Sequence, residues 1–246
     1  PCRKEGITVQ IGPIWIPSRR FGVLQTAKLR PLEDFSEFGI NLAFGAGQKI
    51  NMKGLDHVVS MATGRLESVS SEGVFNLVDS EGGHWHGNLH PDWTTEQWGN
   101  LQGRVADLKS AYKQLAIHPA HTSAAVVAVR DPFGEMKFFR ALSLMFGTTA
   151  AVHGFLRFSR ALATLGAKLL GLSLVEFFDD FTQIESEATA DSGQWALEQL
   201  LEVLGWDLST GEDKRKPFAK SFISLGVLVD FTTIAEREVT LRNKPG

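Results

Sequence analysis

Three carboxylates draw attention first. Asp107 ends a short strand-like run in VADLKSAYKQLAIHP, while Asp179-Asp180 lie in VEFFDDF among Phe177, Phe178 and Phe181. An aspartate at a β-turn is ordinarily a turn former, because it accepts hydrogen bonds from its own nearby backbone. Two adjacent carboxylates among aromatic rings ask for more, since like charges in an apolar hairpin repel unless a cation neutralises them. With no His or Cys beside them, these hard oxygen donors favour Mg²⁺ or Mn²⁺ over zinc. Joined by Asp107 from a neighbouring strand, the pair has the makings of a two-metal site for in-line phosphoryl chemistry.

The elements that must position these groups follow from apolar periodicity. Apolar runs at 174–178 and 181–184 predict a hairpin with Asp179-Asp180 at its tip, and 103–108 reads as a strand delivering Asp107. Helical spacing appears over 54–68, over 148–170 (Phe155, Phe158, Leu162, Leu165) and over 188–204 (Trp195, Leu197, Leu200, Leu201, Leu204). Two further hairpins are expected, one from 74–78 and 84–89, the other from 126–129 and 136–139 around Asp131-Pro132-Phe133-Gly134. The first fifty residues, with short apolar runs at 7–11, 14–16 and 21–24 between Gly and Pro, read as strands and loops. Strands at 222–231 and 239–241 complete the chain. Strands and helices mix without a βαβ repeat, so the expected class is α+β.

Composition limits the function classes. At 246 residues, 43% hydrophobic and 22% charged, the chain can bury a sizeable core and is neither fibrous nor disordered. Its longest charge-free apolar stretch, 141–156, is too short and too polar to span a bilayer, so no membrane partner is expected. A single cysteine, Cys2, excludes an internal disulfide and any Cys-based zinc site, and fits a reducing, intracellular compartment or no constraint at all. The net charge of −3 argues against a protein that coats nucleic acid. Charge is unevenly spread, however: 176–202 carries eight acidic residues and no Lys or Arg, whereas 141–175 carries only Arg157, Arg160 and Lys168. Such alternation lets one surface face a polyanion while another holds cations. The chain begins at Pro1 without Met and reads as part of something longer.

At this point several stretches become recognisable together. VADLKSAYKQLAIHP resembles the first palm motif of reverse transcriptases, LSLMFGTTAAVHGFLRFSRAL their second, and FFDDF the YxDD hairpin. LGWDLSTGEDKRKPFAKSFISLGVLVDF is similar to the two motifs that follow, and KLRPLEDFSEFGIN resembles the fingers motif. They keep the family's order over about 28–231, with the flavour of a retrotransposon enzyme. The resemblance implies a right-hand polymerase with a ferredoxin-like palm sheet and packed helices. Residues 1–100 would be fingers, with an inserted hairpin segment at about 66–100. Residues 101–246 would be palm, with 115–145 contributing to the fingers, and no thumb is expected within the stretch.

The same resemblance implies roles. Asp107 and Asp179 would bridge two Mg²⁺ ions (with Mn²⁺ able to substitute), Asp180 would be the hairpin's second carboxylate, and the Leu108 carbonyl a further metal ligand. Lys28 and Arg30 match the fingers residues that clamp the incoming dNTP. Tyr112, the chain's one tyrosine, matches the aromatic that closes the space of a ribose 2′-hydroxyl. Phe146-Gly147 match the loop beside the nascent base pair, Lys214 the lysine proposed to protonate pyrophosphate, and Leu225-Gly226 the primer grip. Expected partners are an RNA or DNA template with its primer, dNTP, and further domains of a longer polyprotein (thumb, RNase H, recombinase or integrase). The alternatives are an RNA-dependent RNA polymerase, disfavoured by Tyr112, and a decayed or co-opted module that binds nucleic acid or protein without turnover. Two departures stand out: Met145 replaces the usual loop proline, and Phe177 the usual tyrosine. In the 66–100 segment, His84, His86 and His90 have a spacing that suits a transition ion, with Glu81 nearby, but no Cys accompanies them.

Overall fold

The structure, a computed structural model, describes residues 2–25, 28–45, 47, 49–79, 81–211 and 214–244. It is a mixed α+β chain with several separate sheets, as the unrepeated order of strands and helices predicts. Its elements begin with α1 (Lys4–Ile11), β1 (Pro17–Gln25), β2 (Lys28–Asp34) and α2 (Leu55–Glu67). Next come β3 (Val74–Val78), β4 (His84–Asn88), α3 (Thr95–Gly99), β5 (Leu101–Asp107), β6 (Val126–Arg130) and β7 (Met136–Arg140). Then follow α4 (Thr149–Leu170), β8 (Ser173–Phe177), β9 (Asp180–Ser186) and α5 (Ala190–Val203). The last are β10 (Ser221–Ser224), β11 (Val227–Asp230) and β12 (Thr240–Asn243). Among the described residues, no helix is long and apolar enough to cross a membrane.

The chain forms two compact units, residues 1–50 with 110–158, and residues 51–109 with 159–246. In the first, a four-stranded sheet runs β2-β1-β6-β7, with β1 and β6 parallel and the other pairs antiparallel. Its core is Phe35, Ala125, Val127 and Met145, so the methionine that departs from the expected proline fills space beneath the sheet. The run at 7–11, expected as a strand, is the C-terminal part of α1 instead. A five-residue apolar run carries too little periodicity to separate the two states, and only Ile7 of α1 is buried. Pairing with the edge of β7 falls to Cys2, which exchanges backbone hydrogen bonds of 3.1 and 3.0 Å with Phe138.

The second unit is built on the antiparallel sheet β5-β9-β8. Six of the seven residues of β9 are buried, as befits a central strand covered on both faces. Val58 and Ala62 of α2 share a core with Leu101, Val175, Ile184, Phe222, Val229 and Phe231. This shared core explains why 51–100, expected to group with the first fifty residues, clusters with 101–109 and 159–246. A second sheet, β10-β11-β12, meets β5 at Gly103, whose backbone exchanges hydrogen bonds of 2.9 and 3.1 Å with Ala219.

Gly103 is required there: a Cβ would lie 2.2 Å from the Phe222 ring, which is buried and cannot swing away. Gly103→Ala is therefore expected to lower unfolding free energy by about 1–3 kcal/mol, through forced displacement of β10. Urea denaturation measures this, and wild-type stability would mean that the ring has room to move.

Candidate active site

The register of the central sheet brings the first carboxylates together. Asp107, the last residue of β5, pairs directly with Asp180, the first residue of β9. Side chains of directly paired residues project from the same face with Cβ atoms about 4.5–5.5 Å apart, so like charges there repel. The turn between β8 and β9 is Phe178-Asp179, which places Asp179 at the tip and Asp180 one step inside the strand. Phe178 has φ +53°, a left-handed conformation that a bulky residue adopts only when its surroundings enforce it. Two hydrogen bonds supply that enforcement. The buried Ser159 hydroxyl donates to the Phe178 carbonyl at 2.5 Å, and the Leu108 N–H donates to the Asp179 carbonyl at 3.1 Å.

Both Asp107 oxygens have partners. Ser209 donates its hydroxyl to Oδ2 at 2.5 Å, and Lys214 Nζ reaches Oδ1 at 3.1 Å. The Ser209 N–H also bonds the Asp107 carbonyl at 2.8 Å, and a bridge joins Leu108 to Leu208. Burial, then the charges of Asp179 and Asp107, push the Asp180 carboxyl up to about 6. Asp179 moves in the same direction, chiefly by burial, with Asp107 adding to it. The hydrogen bond to Asp107 raises Lys214, so its ammonium stays charged.

Three other acidic residues of the run are paired with cations. Glu176 pairs with Lys53 at 2.8 Å and Arg160 at 3.5 Å, Glu185 with Arg65 at 3.5 Å, and Glu198 with Arg104 and Arg215. Among the described residues, Lys214 is the cation that acts on Asp179 and Asp180.

The Leu225-Gly226 turn joins β10 to β11 with φ of +51° and +78°, the two positive values that a tight two-residue hairpin needs. Leu225 and Gly226 line one cleft of about 640 Å³ with Asp107, Asp180, Lys214 and Lys216. Five sequence-predicted residues thus share one cleft, and Asp179 adjoins it in the β8–β9 turn. Leu108 is buried.

The nucleotide-binding candidates Lys28, Arg30, Tyr112, Phe146 and Gly147 belong to the first unit, and the three histidines to the second. Arg30 lies on β2 opposite Val23, with its side chain exposed; Lys28 begins the same strand opposite Gln25. Tyr112 is buried in a 3-10 turn, stacked on Phe155 at 4.6 Å and met edge-on by Phe146 at 5.6 Å. Gly147, at φ +100°, accepts from the Asn41 amide at 3.2 Å, while Asn41 Oδ1 accepts from the Thr149 N–H at 2.9 Å. The side chain of Asn41 therefore clamps the 146–148 loop. His84 and His86 point from one face of β4 and are exposed, and His90 pairs with Asp92 at 3.4 Å.

The donor set of Asp107, Asp179 and Asp180 fits a hard divalent cation in kind: three oxygen ligands whose mutual repulsion a cation would relieve. Among the described residues, no three His, Cys, Asp or Glu side chains already converge as a cage. Each Asp107 oxygen has one protein partner among the described residues and so keeps a lone pair that a cation could use. Sequence reasoning missed Ser209, whose partner is 102 residues away and which no local pattern marks. No protein-family model and no curated protein matches the sequence.

Proposed function

We propose that this chain is the fingers and palm of an RNA-directed DNA polymerase, the first unit supplying fingers and the second the palm. On this reading it transfers a nucleotide from dNTP to a primer 3′-hydroxyl on an RNA or DNA template. The observation that carries the proposal is the pairing of Asp107 with Asp180 across β5 and β9, with Asp179 in the adjoining turn. Two Mg²⁺ ions, held by Asp107, Asp179 and Asp180 with the Leu108 carbonyl, would supply Lewis acidity toward the attacking and leaving oxygens.

The chain's own residues contribute the rest. Ser209 fixes the plane of the Asp107 carboxylate, and the anchored Phe178 carbonyl fixes the hairpin tip. Lys214 carries a proton at Nζ beside the reacting phosphates and can pass it to departing pyrophosphate. The Leu225-Gly226 turn offers backbone, with little side-chain bulk, to the primer end. Arg30, with Lys28 as the resemblance implies, would bind the triphosphate; Arg suits phosphate through paired donors. Tyr112, held between two rings, presents a stiff edge that excludes a 2′-hydroxyl.

The test is sugar choice on a primed RNA template. Wild type should prefer a deoxynucleotide over its ribonucleotide in kcat/KM, and Tyr112→Val should shrink that preference by about 10–100-fold, the equivalent of 1–3 kcal/mol of relieved overlap. A wild-type preference for ribonucleotides would replace the reading with an RNA polymerase. Folded protein that binds primer-template yet incorporates neither sugar with Mg²⁺ or Mn²⁺ would make it a binding module.

A further inference from the structure

We infer that Arg215 and Glu198 are positioning residues that hold Lys214 at Asp107, an inference that rests on the polymerase reading for the role it gives Lys214. Lys214 is about half exposed, with a side-chain exposure of 52%. A single exposed lysine–carboxylate contact in water is too weak to immobilise a long side chain, so another restraint is needed.

The next residue provides it. Arg215 grips both oxygens of Glu198, with Nη2 to Oε2 at 2.5 Å and Nε to Oε1 at 3.3 Å. Such a two-point fork fixes direction as well as distance. The N–H groups of Lys214 and Arg215 both donate to the Gly211 carbonyl at 2.8 Å, so the two residues share one tight turn. Anchoring Arg215 therefore anchors the backbone from which Lys214 reaches Asp107.

Glu198 is in turn rigidly placed. It sits on α5, where its Oε1 accepts from Gln194 at 3.0 Å and from Arg104 Nη1 at 3.2 Å. Arg104 is 2% exposed and lies on β5 three residues before Asp107. Its Nε donates to Gln183 Oε1 at 3.1 Å, and Gln183 Nε2 donates to the Gly193 carbonyl at 2.9 Å. One hydrogen-bonded network, buried at Arg104 and Gln183 and exposed at Arg215, thus ties the strand that carries Asp107, the strand that carries Asp180 and the helix that carries Glu198 to the turn that carries Lys214.

Removing Glu198 would strip the buried Arg104 of its carboxylate, so the cleaner probe is Arg215→Ala, which leaves Arg104 paired. Two readouts apply. Hydrogen exchange at the Lys214 amide should accelerate on the order of tenfold, while exchange in β5 and β9 stays unchanged. In single-turnover incorporation with Mg²⁺, Arg215→Ala should lower the rate about 3–10-fold at unchanged nucleotide KM, and should cost nothing further in a Lys214→Ala background. Arg215→Lys should recover part of the loss.

Unchanged exchange at Lys214 would overturn the inference, as would a loss that adds fully to that of Lys214→Ala. If wild type shows no incorporation at all, the polymerase reading fails, and the exchange measurement still decides whether Arg215 holds the turn.

Discussion

Asp107→Asn is expected to cut nucleotide incorporation by at least about 10³-fold while the protein remains folded, as loss of a charged group that stabilises the reacting centre typically does. Asparagine keeps the shape and can still accept from Ser209, so the end of β5 retains its hydrogen bond. Charge is what changes. The variant loses the pair with the half-exposed Lys214, worth little in water, and is relieved of repulsion with Asp180. Thermal unfolding should therefore stay near that of wild type. Asp179→Asn should behave in the same way, and Asp180→Asn should retain a trace of activity. Incorporation at the wild-type rate by Asp107→Asn would remove the carboxylate cluster from the chemistry.

The second large effect is on stability against pH. Asp180 is pushed up to about 6, from an ordinary value of 3.8, by burial and by its acidic neighbours. Between those two values the folded protein binds more protons than the unfolded chain. The unfolding free energy then falls as pH rises through this window, and the stabilisation is fully present only below the unfolded value. The expected loss is on the order of 2 kcal/mol between pH 4 and pH 7 in metal-free buffer. Asp179 and Glu185, also raised by burial, slope the same way, so the decisive quantity is the difference between wild type and Asp180→Asn. The variant should show a flatter profile and be the more stable of the two at pH 7.5. Added Mg²⁺ should stabilise wild type above pH 6 more than the variant. Parallel denaturation profiles for the two proteins would show that the Asp180 charge is not under strain.

Local pattern carried much of this protein. The helices expected at 54–68, 148–170 and 188–204 correspond to Leu55–Glu67, Thr149–Leu170 and Ala190–Val203. Each shows enough turns for its apolar stripe to stand out. The aspartate hairpin was legible because two apolar runs flank a polar pair. Its tip falls on Phe178-Asp179, one residue before the expected Asp179-Asp180, because Asp180 pairs in β9 with Phe177. Where a run was only five residues long, as at 7–11, periodicity could not separate helix from strand, and packing of Ile7 selected a helix.

What only the tertiary structure decided is which distant groups meet. Asp107 finds Ser209 and Lys214, and Arg104 finds Glu198, across separations of 102, 107 and 94 residues. No spacing rule encodes such pairs, because they depend on the register of β5 against β9 and on where Leu208, Ser209 and Lys214 settle against that edge. The chemistry of the three aspartates can be read from residue type alone. Their ionisation cannot, since it comes from burial and from the like charge placed opposite by the sheet.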